Sequence, residues 1–363
     1  MHILFVTRKY PPSTGGMENA AFELYTALAQ TNDVTLVKWG GANKALPVVY
    51  PWLFVRALVH GLQHMPDVIY LQDGLMAPLG SMLKFFLKRP TVITIHGKEA
   101  TYANSVYKAV VPRFVRKQTV LVAVSNETKQ TVAQAISGTN PLVIFNGLSD
   151  TFHQADRRAE QYQAVASAVG MTVDELKGYK ILHSNGRLVR RKGVLWFIDE
   201  VLPELTKQAK VLYVVSGGGK DKELIEAAIA DKGLQDTVRL LGRVPQGLLH
   251  NLYNVADMFV MPNIPVANDM EGFGLVALEA ASCGTMVVAS KLEGITDAII
   301  EGKNGRLVTP LKADEYVRTI VQELRHPSLT PEAIRSYTLQ NYSWTGVAHE
   351  YEQVMVRLIT PRG

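Results

Sequence analysis

Two series of short apolar runs, separated by helical segments, constrain this chain more than any other feature. His2–Thr7, Val34–Lys38, Val68–Gln72, Thr91–His96, Val120–Ser125 and Leu142–Phe145 form the first series. Lys180–Asn185, Val211–Ser216, Val238–Leu241, Met258–Met261, Met286–Ala289 and Gly305–Val308 form the second. Runs that are apolar on both faces, rather than alternating, are what a parallel sheet buried under helices requires. The intervening segments, such as Glu18–Gln30 and Glu127–Ile136, carry the helical spacing that a βαβ alternation needs.

The alternation stops between Ser149 and Lys180, where the chain is polar and helix-prone. The simplest organisation is an N-terminal doubly wound domain over residues 1–150, a linker or helical segment over 151–178, and a second doubly wound domain over 179–342. Each half is expected to hold a ligand crevice at the carboxyl ends of its strands, so that a ligand lies in a cleft between two facing Rossmann-like domains. A chain of 363 residues has enough length for both cores. Its single cysteine, Cys283, excludes an intramolecular disulfide and any multi-cysteine metal centre, which fits a reducing compartment. The N-terminus runs straight into an apolar strand with neither a basic leader nor a cleavage site, and no stretch is apolar enough to span a bilayer. A cytoplasmic location is the expectation.

Charge divides along the same boundary. The net charge is +5, and residues 1–150 hold 14 Lys plus Arg against 8 Asp plus Glu, while the remainder holds 24 against 25. That excess is too small for a dedicated nucleic-acid binder, and no nucleic-acid partner is expected. Much of it falls in Met82–Arg89, which contains Lys84, Lys88 and Arg89, and in Tyr107–Lys117, both with large apolar neighbours. Such segments suit an anionic membrane surface, and a peripheral position at the inner face of the cell membrane would follow. The same segments would equally make ordinary helices with one solvated face.

The chemistry-bearing residues collect after strands. Glu271-Gly272-Phe273-Gly274-Leu275 leads into a helix that contains Glu279. A glycine near a helix start leaves backbone N–H groups aimed at phosphate or sugar oxygens. Glu271 and Glu279, at most about 12 Å apart along the axis, are placed to accept hydrogen bonds from sugar and ribose hydroxyls as ionised carboxylates. Arg187 and Lys192 follow the strand that begins at Lys180; Arg187 can grip a diphosphate with two donors and Lys192 as a point charge, taking the place of a metal ion. Arg190 and Arg191 read equally well as surface charges. Gly15 and Gly16 lie between the first strand and the next helix and allow close backbone approach to a ligand. The chain has no G-x-G-x-x-G and no Walker A sequence; Gly217 belongs to a tight strand-to-helix turn. His96 ends an apolar strand on the same rim as Asp73, Ser125 and Asn146. There is no catalytic triad and no cluster with metal-ligand spacing, so neither cofactor nor metal is expected.

Together these residues closely resemble the retaining glycosyltransferases of the GT4 family, which have the GT-B fold. The resemblance rests on Gly15-Gly16, His96-Gly97, Ser125, Asn146-Gly147, Gly186-Arg187, Lys192-Gly193, Gly217-Gly218, Ala256-Asp257, Gly284, the stretch Gly302–Val308 and, above all, the E-x7-E pair Glu271 and Glu279. It implies a nucleotide-sugar donor whose diphosphate meets Arg187, Lys192 and the N–H groups near Gly16. The ribose would meet Glu279, and the sugar would meet Glu271, the Gly272–Leu275 backbone and His96. The turn containing Arg243 and Val244 would frame the base; its lack of a carboxylate favours uracil over guanine. Retention would use the leaving phosphate to take the acceptor's proton, and the acceptor would be a glycan or a lipid-linked sugar. The segment from Tyr342 onward resembles the family's C-terminal helix, which returns to the N-terminal domain. Glu293-Gly294-Ile295-Thr296-Asp297 departs from the usual Gly-Gly-x-Pro-Glu, and Gly217-Gly218-Gly219 lacks a frequent proline. Competing readings are a sugar-nucleotide epimerase of the same fold and a catalytically silent sugar-binding protein.

Overall fold

The computed structural model describes residues 1–13, 15–41, 45–97, 111–148, 158–267 and 269–360; the first part of the second basic segment, Tyr107 to Val110, lies outside them. The chain divides into two units, Met1–Ser149 with Tyr342–Gly363, and Asp150–Asn341.

The first unit holds a six-stranded sheet of β1 (His2–Thr7), β2 (Asp33–Lys38), β3 (Val68–Leu71), β4 (Thr91–Ile95), β5 (Val120–Ala123) and β6 (Leu142–Val143). All pairings are parallel, in the order β2-β1-β3-β4-β5-β6, so the strand order reverses between β1 and β3. Successive residues point to opposite faces and helices cover both faces, so β3 and β4 are buried throughout, which explains the unbroken apolar runs. Leu4, Val6, Ile69, Leu71 and Ile93 pack with Leu53, Ala57, Leu79 and Leu83 of the helices Leu46–His64 and Ala77–Leu87. On the opposite face Ile3, Phe5, Val68, Tyr70 and Val92 pack with Leu24 of the helix Gly16–Leu28 and with Val347 and Tyr351 of the helix Trp344–Ile359.

The last helix thus completes the first sheet's cover. Its segment re-enters beside the point where the chain left: Leu148 N–H donates to Tyr342 O at 2.7 Å, and Leu148 bridges Ser343. The side chain of Ser343 then caps the helix by accepting from Gly346 N–H. Gly147 is needed here because an added Cβ would sit 2.7 Å from Trp344 Cγ.

The second unit repeats the layered plan with β7 (Lys180–Asn185), β8 (Val211–Ser216), β9 (Val238–Gly242), β10 (Met258–Met261), β11 (Met286–Ser290) and β12 (Arg306–Val308). They pair in parallel in the order β12-β11-β10-β7-β8-β9, reversing between β7 and β10. Helices Arg158–Val169 and Gln246–Val255 cover one face, with Val165, Val169, Leu252 and Val255 against Ile181, Leu212 and Val214. Both units are therefore doubly wound parallel α/β structures. No helix among the described residues is long and apolar enough to cross a membrane.

Candidate functional site

In the second unit, the strand-order reversal puts the carboxyl ends of β7 and β10 side by side, where an open parallel sheet forms its crevice. Asn185, Gly186, Arg187, Lys192, Pro262 and Asn263 line a pocket there. Two glycines let the loops close on it: Gly217, at φ 117°, lies so near Gly186 O that an added Cβ would overlap it. Past Arg187 the chain makes a single 3-10 turn, Arg190–Lys192, and leaves through Gly193 in the left-handed region.

That turn directs Arg191 and Lys192 inward, with side-chain exposures of 6% and 13%. Arg187 is exposed and forms no ion pair with the described residues. Reading Arg191 as a surface charge is thus corrected: burial makes a counter-charge necessary, and Asp269 and Glu271 supply it.

Glu271 is the hub of the cluster. Its Oε2 accepts from Arg191, from Lys192 Nζ at 2.6 Å and from Asn263 Nδ2 at 3.1 Å. Burial opposes its ionisation, but the adjoining Lys192 and Arg191 outweigh that and hold the carboxyl at about 2. Its backbone N–H donates to Glu293, and Gly294 N–H returns a bond to Glu271 O at 3.3 Å. Glu293 takes a left-handed backbone, φ 49°, where the resembled pattern has glycine. Asp297 is half-buried in the short helix Ile295–Ala298.

Gly274, at φ 90°, starts the helix Leu275–Ser282, and Phe273 just before it is buried. Within that helix, Glu279 Oε2 accepts from the Tyr253 hydroxyl at 2.8 Å. Burial pushes its carboxyl up to about 7, against the lowering effects of Tyr253 and Lys192. Of the two carboxylates, Glu271 is the one that pairs with the cluster's cations among the described residues. Farther along the same rim, Gly217 N–H donates to Gly242 O at 2.6 Å; Arg243 is exposed next to Gly218, and Val244 packs on the second unit's core.

The first unit carries the remaining expected residues. Gly15 and Gly16 open the helix Gly16–Leu28 and are exposed; nearby, Lys9 pairs with the buried Glu18 at 2.9 Å. His96 follows β4, its Nε2 2.9 Å from Gln72 O. A carbonyl only accepts, so that nitrogen carries the proton. Behind His96 runs a buried file: Tyr70 Oη donates to Gln72 Oε1 at 2.8 Å, Thr94 Oγ1 lies 2.7 Å from Tyr70 Oη, and Tyr351 Oη lies 2.8 Å from Thr94 Oγ1. Asp73 and Ser125 on this rim serve as caps, accepting from Leu75 and Thr128 N–H, and Asp73 also pairs with buried Arg8 at 3.0 Å.

Sequence reasoning missed Arg191, Asn263, Asn185, Tyr253 and Glu293. Asn185 and Asn263 end or follow strands of the reversal and were open to the same reasoning that found His96. Tyr253 lies inside an ordinary-looking amphipathic helix, and no local signal marks it.

Residues 173–339 match the family model for glycosyl transferases group 1. The chain is 26% identical to a GDP-mannose-dependent alpha-(1-6)-phosphatidylinositol monomannoside mannosyltransferase of Mycolicibacterium smegmatis, over 94% of this chain and 95% of the relative. It is 21% identical to a lipopolysaccharide 1,2-N-acetylglucosaminetransferase of Salmonella typhimurium, over 95% and 89%. Among solved structures, Anabaena HepE in complex with UDP and glucose shares the fold at TM-score 0.77 and 19% identity, covering 99% of this chain and 100% of that one. Sucrose-phosphate synthase from Thermosynechococcus elongatus does so at TM-score 0.77 and 19%, covering 99% of both. These structures have the GT-B fold, and the two parallel-sheet units described above match it.

Proposed function

We propose a donor, an acceptor and a stereochemical course for this glycosyltransferase, whose residues 173–339 match the model for glycosyl transferases group 1. It moves a hexose from a nucleoside-diphosphate sugar, a UDP-sugar in preference to a GDP-sugar, to a lipid-linked or polysaccharide acceptor, with retention and without a metal ion. The observation that carries this reading is the joint placement of Glu271, Gly274 and Glu279 around one helix start, with Lys192 ion-paired to Glu271 and Arg187 exposed beside it.

Each group has a chemical task. Arg187 and Lys192 stabilise the negative charge that grows on the departing diphosphate, where a charge in a partly desolvated pocket acts most strongly. Glu271 uses Oε1, which makes no hydrogen bond to the described residues, to accept from sugar hydroxyls; N–H groups from Gly272 to Leu275 add donors. Glu279 accepts from the ribose. His96 contacts the transferred sugar, and Gly15-Gly16 brings backbone donors near the phosphates. The departing phosphate accepts the proton of the incoming hydroxyl on the same face, which dispenses with a dedicated base. Uracil is favoured because the turn after β9, which contains Arg243 and Val244, offers no carboxylate to guanine.

The acceptor side has its own support in the first unit. The helix Leu46–His64 is apolar on both faces, so that Trp52, Val55, Val59 and Leu62 are exposed; Met82, Phe85 and Phe86 of Ala77–Leu87 are exposed as well. Phe54 and Phe86 touch across the two helices at 6.1 Å between ring centroids. Arg56 lies over Trp52 at 4.9 Å and Lys88 over Phe85 at 4.4 Å. Apolar rings mixed with cations fit the inner face of an anionic membrane, where a lipid-linked acceptor would be met.

Calorimetric titration of the full chain with UDP and with GDP tests the donor reading. The expected result is binding of UDP, weaker binding of GDP, and loss of both in Lys192→Ala. A folded protein that binds neither would overturn it.

A further inference from the structure

Five polar side chains form a single file that ends on Glu279. His183 Nε2 lies 3.0 Å from Ser216 Oγ, Ser216 Oγ donates to Asn185 Oδ1 at 3.0 Å, Asn185 Nδ2 donates to Tyr253 Oη at 3.0 Å, and Tyr253 Oη donates to Glu279 Oε2 at 2.8 Å. His183 and Ser216 are fully buried. Because the Ser216 proton is committed to Asn185, His183 Nε2 must be the donor to Ser216; its other nitrogen, Nδ1, has no hydrogen-bond partner among the described residues. Every hydrogen in the file then points toward the carboxylate.

This direction has a chemical requirement. Were the Asn185 amide turned about, its oxygen would take the Tyr253 proton, and Glu279 could bond to Tyr253 only by giving a proton of its own. The orientation seen makes Glu279 Oε2 the acceptor at the end of the file, a bond that is strongest when the carboxyl is ionised. We propose that Tyr253 and Asn185 are positioning residues for the donor: they hold Glu279 Oε2 as the acceptor, favour its ionised form, and leave Oε1 for the ribose hydroxyls. Oε1 makes no hydrogen bond to the described residues, which is consistent with that division.

Three other groups act on this carboxylate or are acted on by it. Lys192, from the turn after β7, attracts its charge; Tyr253, from the helix Gln246–Val255, donates to it; Cys283, just beyond its own helix, is a neutral thiol pushed up to about 12, chiefly by burial. Burial works against the ionised form, so losing the Tyr253 donor shifts the balance toward protonation. A protonated Glu279 is a poorer acceptor for a diol.

The inference rests on the reading that Glu279 meets the ribose, and the experiment separates the two. UDP and 2′-deoxy-UDP are titrated into the full-length wild type, Tyr253→Phe and Asn185→Asp between pH 6 and pH 9. The wild type is expected to prefer UDP. In both variants UDP affinity should fall about tenfold, as loss of a hydrogen bond to a charged group does. The preference for UDP over 2′-deoxy-UDP should shrink, and the acid limb of UDP binding should move to higher pH. Asn185→Asp keeps nearly the same shape and offers Tyr253 an acceptor in place of a donor, so it serves if Tyr253→Phe does not fold. Folded variants with wild-type affinity and an unmoved acid limb overturn the positioning role. A wild type that binds UDP and 2′-deoxy-UDP alike overturns the ribose reading, and the inference with it, before any variant is made.

Discussion

Lys192 Nζ sits 2.6 Å from Glu271 Oε2, so the cation assigned to the diphosphate and the carboxylate assigned to the sugar form one ion-paired unit. Arg191 and Asn263 bond to the same oxygen. Neither member can be altered without disturbing the other's charge.

Stability in acid should report this pairing. Glu271 has a carboxyl lowered from an ordinary 4.5 to about 2, so its contribution is full above pH 4.5 and is lost as pH falls toward 2. The amount is roughly 3 kcal/mol. Urea unfolding measured from pH 5 to pH 2 should show that loss in the wild type and a flatter profile in Glu271→Gln, which has no such proton to gain. Equal slopes would count against the pairing.

Gly294→Ala should slow transfer without unfolding the protein. Gly294 has an ordinary right-handed backbone, so alanine brings no torsional strain. Its Cβ would overlap Gly272 O and sit 3.0 Å from Phe273 Cα, displacing the loop that presents Glu271. A displacement of about 1 Å at a reacting site can cost about a hundredfold in rate. The check is transfer rate and melting temperature measured together; normal rate with normal melting would show that the loop yields.

In the first unit, Thr94→Val removes the hydroxyl between Tyr70 and Tyr351, both buried. Leaving such groups short of a partner costs about 1–3 kcal/mol. The urea midpoint should fall accordingly, and adding Tyr351→Phe should cost little more, because the two substitutions break the same bond and the second removes the orphaned hydroxyl.

Replacing both Phe85 and Phe86 by serine should reduce sedimentation with phosphatidylglycerol vesicles, and high salt should reduce the wild type's binding as well. The fold should be spared, since both rings are more than half exposed. Equal binding to neutral and anionic vesicles would argue against a membrane role for this face.

The strands and their parallel pairing were legible because a strand buried on both faces cannot hide its composition. Leu142–Phe145 forms a strand only over Leu142–Val143, at the edge of the sheet, with β5 as its one neighbour among the described residues. Glu271 and Glu279 were legible from their spacing and the glycine between them. Arg191 was not, because whether one of three consecutive cations turns inward depends on a 3-10 turn that their identities do not specify. Tyr253 was missed for a different reason: it touches Glu279 across 26 residues of sequence, and long-range polar contacts leave no periodic trace. The exposed stripe on Leu46–His64 was hidden by its own apolarity, which reads as core.

The bond between Leu148 and Tyr342 makes the second unit a parenthesis within the first. Its 192 residues, Asp150–Asn341, begin and end at neighbouring points of another unit. The gene segment for residues 150–341 could therefore be replaced by a few glycines and the flanking parts would still meet in register, whereas cutting the chain before Tyr342 would strip Tyr351 and Val347 from the first sheet and uncover Phe5 and Tyr70. For this chain the helix Trp344–Ile359 is a folding partner of strands formed within the first hundred residues.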